Sequence, residues 1–263
     1  MPVEARRLGY ITGLMHNALA APTDLPEFQP EPITAEDIER WRRGIAGLIA
    51  MVMRKGRDRI DGLPVRERDL LGPVADGEAT FLDMIDGLHV LEREGCCKTR
   101  CHGDYHLGQV LKTGDDYMLL DFEGEPARTL AERRAKHSPL KDVAGMLRSY
   151  NYAAYAALLE VWEARRSDEA ERVELEGWAL AWEAAARTAF LRGYVEATRL
   201  HDGPRFVPVD DAAFHQVVRI FEVEKAFYEL EYEFNNRPTW VAVPASGLSS
   251  MLRTEANVQP SAT

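Results

Sequence analysis

Cysteine is scarce: Cys96, Cys97 and Cys101 are the only three in a chain of 263 residues. So small and odd a number argues against a disulfide framework and fits a reducing cytoplasm. Long apolar runs are missing too. None approaches the roughly 20 residues that a membrane-spanning helix needs, and the start, MPVEARRLGY, has no apolar signal-peptide core. Positive charge is in deficit, with 32 Lys and Arg against 43 Asp and Glu and a formal charge of -11. Such a surface repels a phosphate backbone, so nucleic acid is not the expected partner. Phosphate chemistry stays open, because a bound divalent cation reverses the sign of a local site. Internal repeats are absent as well.

What is present reads as helix. ARRLGYITGLMHNALA places Leu8, Ile11, Leu14, Met15 and Leu19 at helical spacing. Pro22, Pro26, Pro30 and Pro32 then dictate an extended surface loop. Thr34 opens a second helix with acidic residues in its first turn and Ile38, Trp41, Ile45, Leu48 and Ile49 facing inward. Gly72-Pro73 breaks the chain, and Ala79 to Arg93 reads as another helix. Further helices are expected over Leu140–Arg165, Asp168–Leu200 and Asp210 to about Asn235, followed by a tail that frays from about residue 252.

One stretch breaks this pattern. RCHGDYHLGQVLKTGDDYMLLDFEGEP, residues 100–126, holds two apolar strand-like runs, QVLK and YMLLDF, on either side of a Thr-Gly-Asp-Asp hairpin signal. Its His and Cys residues invite a zinc reading. The spacing C-C-x3-C-H is wrong for it, since structural zinc sites pair ligands two to four residues apart and add a second pair. Small, half-buried structural cysteines fit better. A phosphoryl-transfer reading fits the spacing. Protein kinases use a catalytic loop H-R-D-x4-N and, on a short hairpin after it, a D-F-G metal ligand. Here His102-Gly103-Asp104 is followed by Gln109 and then by Asp121-Phe122-Glu123-Gly124. A hairpin turning at Gly114 returns Asp121 beside Gln109, offering an amide and a carboxylate oxygen to one hard cation such as magnesium. His102 is expected to order the loop rather than to transfer protons.

HGDYHLGQVL, LLDFEGEP and SPLKDVAGMLRSYNYAAY resemble the aminoglycoside-phosphotransferase-like kinases and, within that group, the maltokinases, which occur alone or fused to trehalose synthase. Residues 224–244, EKAFYELEYEFNNRPTWVAVP, resemble the C-terminal end of the same enzymes. The resemblance spans nearly the whole chain, 1–263, but only as the C-terminal lobe. It implies a mainly α protein-kinase-like lobe with one small β-hairpin at the active site. It also implies ATP- and Mg2+-dependent phosphorylation of maltose at the anomeric hydroxyl, giving maltose 1-phosphate for α-glucan synthesis. Asp104 matches the family's catalytic base, and Gln109 and Asp121 match its magnesium ligands. Asp142 matches an acid that supports the catalytic loop; read alone, it is an ordinary helix N-terminal acid.

A kinase of this type also needs a nucleotide lobe with a phosphate-covering loop and a strand Lys. The chain shows neither: Gly9 and Gly13, its earliest glycines, fall inside the first helical pattern, and Lys55 and Lys98 follow no such loop. The resemblance therefore implies an incomplete kinase that binds ATP poorly alone. A separately encoded or upstream nucleotide lobe, or trehalose synthase, is the expected partner.

For the acceptor, a sugar site wants aromatic faces and hydrogen-bonding carboxylates or Arg. Tyr228, Glu229, Tyr232, Glu233 and Arg237 form one such set, with Glu123 and His106 beside the loop. Arg237 either binds substrate or caps its helix, and His106 either orients the acceptor or is a satisfied loop histidine. Trp178 and Trp182 share a helix face and read either as core or as a sugar platform. The same lobe could also serve another hydroxylated acceptor, such as an amino sugar or choline, or act as a non-catalytic docking module.

Overall fold

The computed structural model describes residues 2–114, 116–165 and 169–258. In chain order its elements are α1 Pro2–Leu19, β1 Glu31–Pro32, α2 Ala35–Arg59, α3 Val65–Asp76, α4 Glu78–Met84, α5 His89–Arg93, β2 Cys97–Lys98, β3 Val110–Thr113, β4 Asp116–Leu119, α6 Leu130–Arg134, α7 Leu140–Arg165, α8 Glu169–Thr198, α9 Asp211–Asn236 and α10 Ala242–Val258. They fall into two compact units: Met1–Pro32 with Gly95–Val207, and Ile33–Glu94 with Pro208–Thr263. Among the described residues no helix is long and apolar enough to cross a membrane.

In the first unit α1 lies against α8, and glycine sets how closely. A Cβ on Gly9 would stand 1.9 Å from the carbonyl oxygen of Phe190, and one on Gly193 would stand 1.9 Å from that of Arg6. No side chain fits between backbones this close. The buried face of α1 is therefore Ala5, Leu8, Gly9, Thr12, Gly13 and His16. This corrects the Leu8–Ile11–Leu14–Met15–Leu19 stripe, of which only Leu8 is buried and Leu14 is exposed. Close approach selected the small residues over the large ones. α8 also meets α7, and Leu147, Tyr150, Phe190 and Tyr194 are buried in this unit. β1 and β2 pair antiparallel, as do β3 and β4, with Leu111 opposite Met118. Gly114 turns the second hairpin at φ +66; Asp115 of that turn lies outside the described residues.

In the second unit α2 begins at a Thr34–Asp37 capping box, which satisfies two of the orphan donors of a helix start. Its Ile38, Trp41, Ile45 and Ile49 are buried, with Trp41 edge-on to Phe221 of α9. Three sequence expectations change here. Pro73 lies inside α3 rather than breaking the chain, and the helix ends three residues later. The helix expected over 79–93 divides into α4, a 3-10 turn at Ile85–Leu88, and α5. Gly87 of that turn comes so close to α9 that a Cβ would lie 2.6 Å from the Gln216 amide. The tail is the third correction. Residues 242–258 form α10, with Ala242, Val243, Ala245 and Leu248 buried. Pro244 stands in the first turn, where its missing N–H costs nothing. Of the tail expected to fray, residues 259–263 lie outside the described residues.

Candidate active site

The site is built on Asp142, in the first turn of α7. Its carboxylate is buried and accepts from the backbone N–H of His102 at 2.7 Å and of Gly103 at 2.9 Å, one oxygen each. The oxygen facing His102 also meets His16 Nε2 at 3.2 Å. Burial pushes this carboxyl upward, but the hydrogen bond and charge of His16, with the Gly103 and His102 N–H groups, outweigh it and hold the group below the usual aspartate range. Behind His16, Nδ1 lies 3.0 Å from the Tyr194 hydroxyl.

This contact bends the loop. Gly103 takes φ +86, where a side chain would be strained, and a Cβ there would press on Gly124 at 3.2 Å. The ring of His102, fully buried, joins the loop to the end of β4. Its Nε2 meets the Leu120 carbonyl at 2.7 Å, and the ring lies 4.8 Å from that of Phe122. Both ring nitrogens are thereby engaged in ordering backbone, since Nδ1 faces the Asp104 N–H at 3.4 Å. Asp104 is half-buried, with His106 Nε2 3.8 Å from its carboxylate. His106 caps the following turn, accepting from the Gly108 N–H at 3.0 Å.

Across the hairpin base, Gln109 Nε2 donates to Asp121 at 3.0 Å. Asp121 is exposed and has φ +62; among the described residues no other non-glycine has positive φ. Asp tolerates this left-handed conformation better than most residues, and the twist turns the chain off β4 directly beside Gln109. On the adjoining strand face Leu111, Met118 and Leu120 are exposed, with Phe122 exposed just beyond. Glu123 is exposed and pairs with Arg133 at 3.6 Å.

The cysteines take no part in this arrangement. The Cys97 thiol donates to the Pro204 carbonyl and the Cys101 thiol to those of Thr99 and His137, each at 3.6 Å. Burial pushes Cys97 up to about 11 and Cys101 well above its ordinary value. Among the described residues, no three His, Cys, Asp or Glu side chains converge as a metal cluster.

The aromatic-acidic set belongs to the second unit. Glu233 is buried and held by Arg237 through two bonds, 3.0 Å from Nε and 2.6 Å from Nη2. The guanidinium lies over the Trp240 ring at 4.6 Å and that of Tyr232 at 5.6 Å. Arg237 also ends α9, donating its backbone N–H to the Glu233 carbonyl. Tyr228 stacks under Lys225, and Tyr228 and Glu229 are half-buried. Of the tryptophans in the first unit, Trp178 is 70% exposed and so is not core. Trp182 meets Tyr150 edge-on.

Sequence reasoning missed Thr12, His16 and Tyr194. The available signal was phase: Thr12 and His16 recur on the face that carries Gly9 and Gly13.

No family model matches the chain. The chain is 26% identical over 258 residues to a glucosamine kinase of Streptacidiphilus jiangxiensis, covering 94% of this chain and 49% of that protein. It is 31% identical over 226 residues to a glucosamine kinase of Mycolicibacterium smegmatis (strain ATCC 700084 / mc(2)155), covering 84% and 48%. Among solved structures it matches a glucosamine kinase in complex with glucosamine, ADP and inorganic phosphate, with TM-score 0.74, 25% identity, and 95% and 52% of the two chains covered. Crystal form B of a glucosamine kinase gives TM-score 0.71. The fold is thus the mostly helical fold found in about half of a glucosamine kinase, and the chain spans about half the length of the curated relatives it matches.

Proposed function

We propose that this chain is the catalytic and acceptor-binding lobe of an ATP-dependent sugar kinase. The observation that carries the reading is the meeting of Gln109 and Asp121 at the hairpin base, tied through His102 to the loop bearing Asp104. Asp104 would accept the proton of the acceptor hydroxyl as that oxygen attacks the terminal phosphate. His106, facing its carboxylate, would orient the acceptor, and exposed Glu123 would help to bind it. Gln109 and Asp121 offer the hard oxygen donors that magnesium takes, and exposed Asp121 leaves room for phosphate and water beside it. Bound magnesium would neutralise charge on the bridging phosphates during transfer. The exposed apolar face of Leu111, Met118 and Leu120 fits a nucleotide base, and a glucosamine kinase of this fold binds ADP and phosphate.

The relatives' names make glucosamine the first acceptor to test. The likeness of residues 224–244 to the maltokinase end keeps maltose as the second reading, with Tyr228, Glu229, Tyr232, Glu233 and Arg237 as the sugar-recognition set. Full turnover is assigned to this chain together with a counterpart of the half of its relatives that it does not span.

The test is ADP release with glucosamine, maltose and choline, by the chain alone and with a separately expressed nucleotide lobe. Sugar-dependent turnover is expected with the added lobe. Asp104→Asn should lower it by about 10²–10⁴-fold while calorimetric sugar binding persists. An unchanged rate in Asp104→Asn, or no transfer to any sugar with the lobe supplied, refutes the proposal.

A further inference from the structure

The catalytic loop is gripped from outside by a helix to which the phosphoryl-transfer reading gives no task. α1 presents Thr12 and His16, four residues apart and both fully buried, so they lie one turn apart on one face. Thr12 Oγ1 lies 2.8 Å from the Tyr105 hydroxyl, and His16 Nε2 lies 3.2 Å from Asp142. Thr12 spends its own proton on the Leu8 carbonyl at 2.9 Å, so Tyr105 is the donor to Thr12. Nearer the start of α1, Glu4 pairs with Lys112 and Arg7 with Asp116, the latter at 3.0 Å. One helix therefore touches the loop, its supporting carboxylate and both strands of the hairpin.

The point at which this grip can affect chemistry is Asp142. A carboxylate that must give one oxygen to each of two successive N–H groups has one useful orientation. The His102 and Gly103 bonds alone leave rotation about the Cβ–Cγ bond opposed by two contacts, both from one loop. His16 adds a third contact, on the oxygen that also accepts from His102, and its own ring is fixed in turn by Tyr194 at 3.0 Å and by the Phe206 ring at 6.3 Å, edge-on. We infer that His16 is a positioning residue, which holds the Asp142 carboxylate so that the His102-Gly103-Asp104 loop keeps a single conformation. The role in transfer rests on the kinase reading, while the role in ordering the loop does not.

The experiment separates the two. Amide hydrogen exchange is measured on the whole chain for the parent, His16→Ala and His16→Gln. Gln is chosen because its amide N–H reaches about as far as Nε2. His16→Ala should speed exchange at His102 and Gly103 by about tenfold, the effect of losing one buried hydrogen bond. Amides of α9 should be unchanged, and His16→Gln should restore protection to within about threefold. Tyr194→Phe, which removes only the outer contact, should give a smaller effect at the same two amides. In the two-lobe transfer assay His16→Ala should lower kcat while sugar KM stays within about twofold, and Gln should recover part of the loss. Unchanged protection at His102 and Gly103 in His16→Ala overturns the inference. So does exchange raised throughout the first unit and not rescued by Gln, since His16 would then only fill space. If exchange responds as expected and no sugar is ever phosphorylated, the kinase reading fails and the loop-ordering role stands.

Discussion

Replacing Gly193 by Ala should cost far more than the same change at Gly177 on the same helix, and the structure gives the size. A Cβ at Gly193 would stand 1.9 Å from the Arg6 carbonyl oxygen and 2.8 Å from the Tyr10 nitrogen, both backbone atoms that cannot rotate away. Restoring an ordinary contact of roughly 3.5 Å requires α1 to retreat by about 1.5 Å. Overpacking of this kind costs about 1–3 kcal/mol. The retreat also stretches Thr12–Tyr105 and His16–Asp142, now 2.8 and 3.2 Å, and each buried polar group left short of its partner costs about 1–3 kcal/mol. Against this, Ala gains about 1 kcal/mol of helix propensity over Gly. A net loss of at least about 2 kcal/mol follows. Gly177 is exposed, and a Cβ there meets nothing within 4 Å, so Gly177→Ala should keep the propensity gain and stabilise by about 0.5–1 kcal/mol. Urea unfolding followed by far-UV circular dichroism measures both. With a denaturant slope near 2 kcal/mol per molar, Gly193→Ala should unfold at least about 1 M earlier than Gly177→Ala. Equal midpoints would refute the backbone-contact argument for the α1–α8 crossing.

Other perturbations probe the rest of the molecule. Asp142→Asn should destabilise the first unit by about 3 kcal/mol, because a buried, triply bonded carboxylate loses its charge. Its pH signature has a definite sign. The folded carboxyl lies below its ordinary 3.8, so its stabilisation is complete above about pH 4 and disappears as pH falls through the lower folded value. Acid titration of urea midpoints should show this slope in the parent and not in Asp142→Asn. Arg237→Ala removes both guanidinium bonds from buried Glu233 and should lower the stability of the second unit by about 2–3 kcal/mol. Arg237→Lys should recover little of it, since an ammonium cannot reproduce the two-point grip. Cys97, buried and with its thiol pushed up to about 11, should resist iodoacetamide at pH 8 in the native protein and react in urea, as peptide mass mapping would record.

Much of the local structure was legible in the chain because local chemistry sets it. Thr34 and Asp37 make the same capping box in any helix start. Apolar spacing over 140–165 and 211–236 needs no partner to read as helix, and a Gly-Asp turn between two apolar runs reads as a hairpin. The pairing of Gln109 with Asp121 was equally legible, since hairpin geometry returns one beside the other. Proline and glycine misled where their role was tertiary. Pro73 and Pro244 were tolerated by their places within helices, and Gly87 marked a close approach to α9 that no local pattern contains.

The sequence alone determined that Gln109 and Asp121 meet across a short hairpin just after the His102-Gly103-Asp104 loop, because so short a length of continuous chain suffices to juxtapose those groups. The tertiary structure alone decided which face of α1 is buried and what that face does. Gly9 and Gly193 are ordinary helix residues until two backbones meet, and His16 is an isolated histidine until Asp142, 126 positions away, is brought to it. The physical reason is the range of the forces involved. Steric exclusion and hydrogen bonding act over a few ångströms, so they can be read from sequence only where the chain itself keeps the partners near.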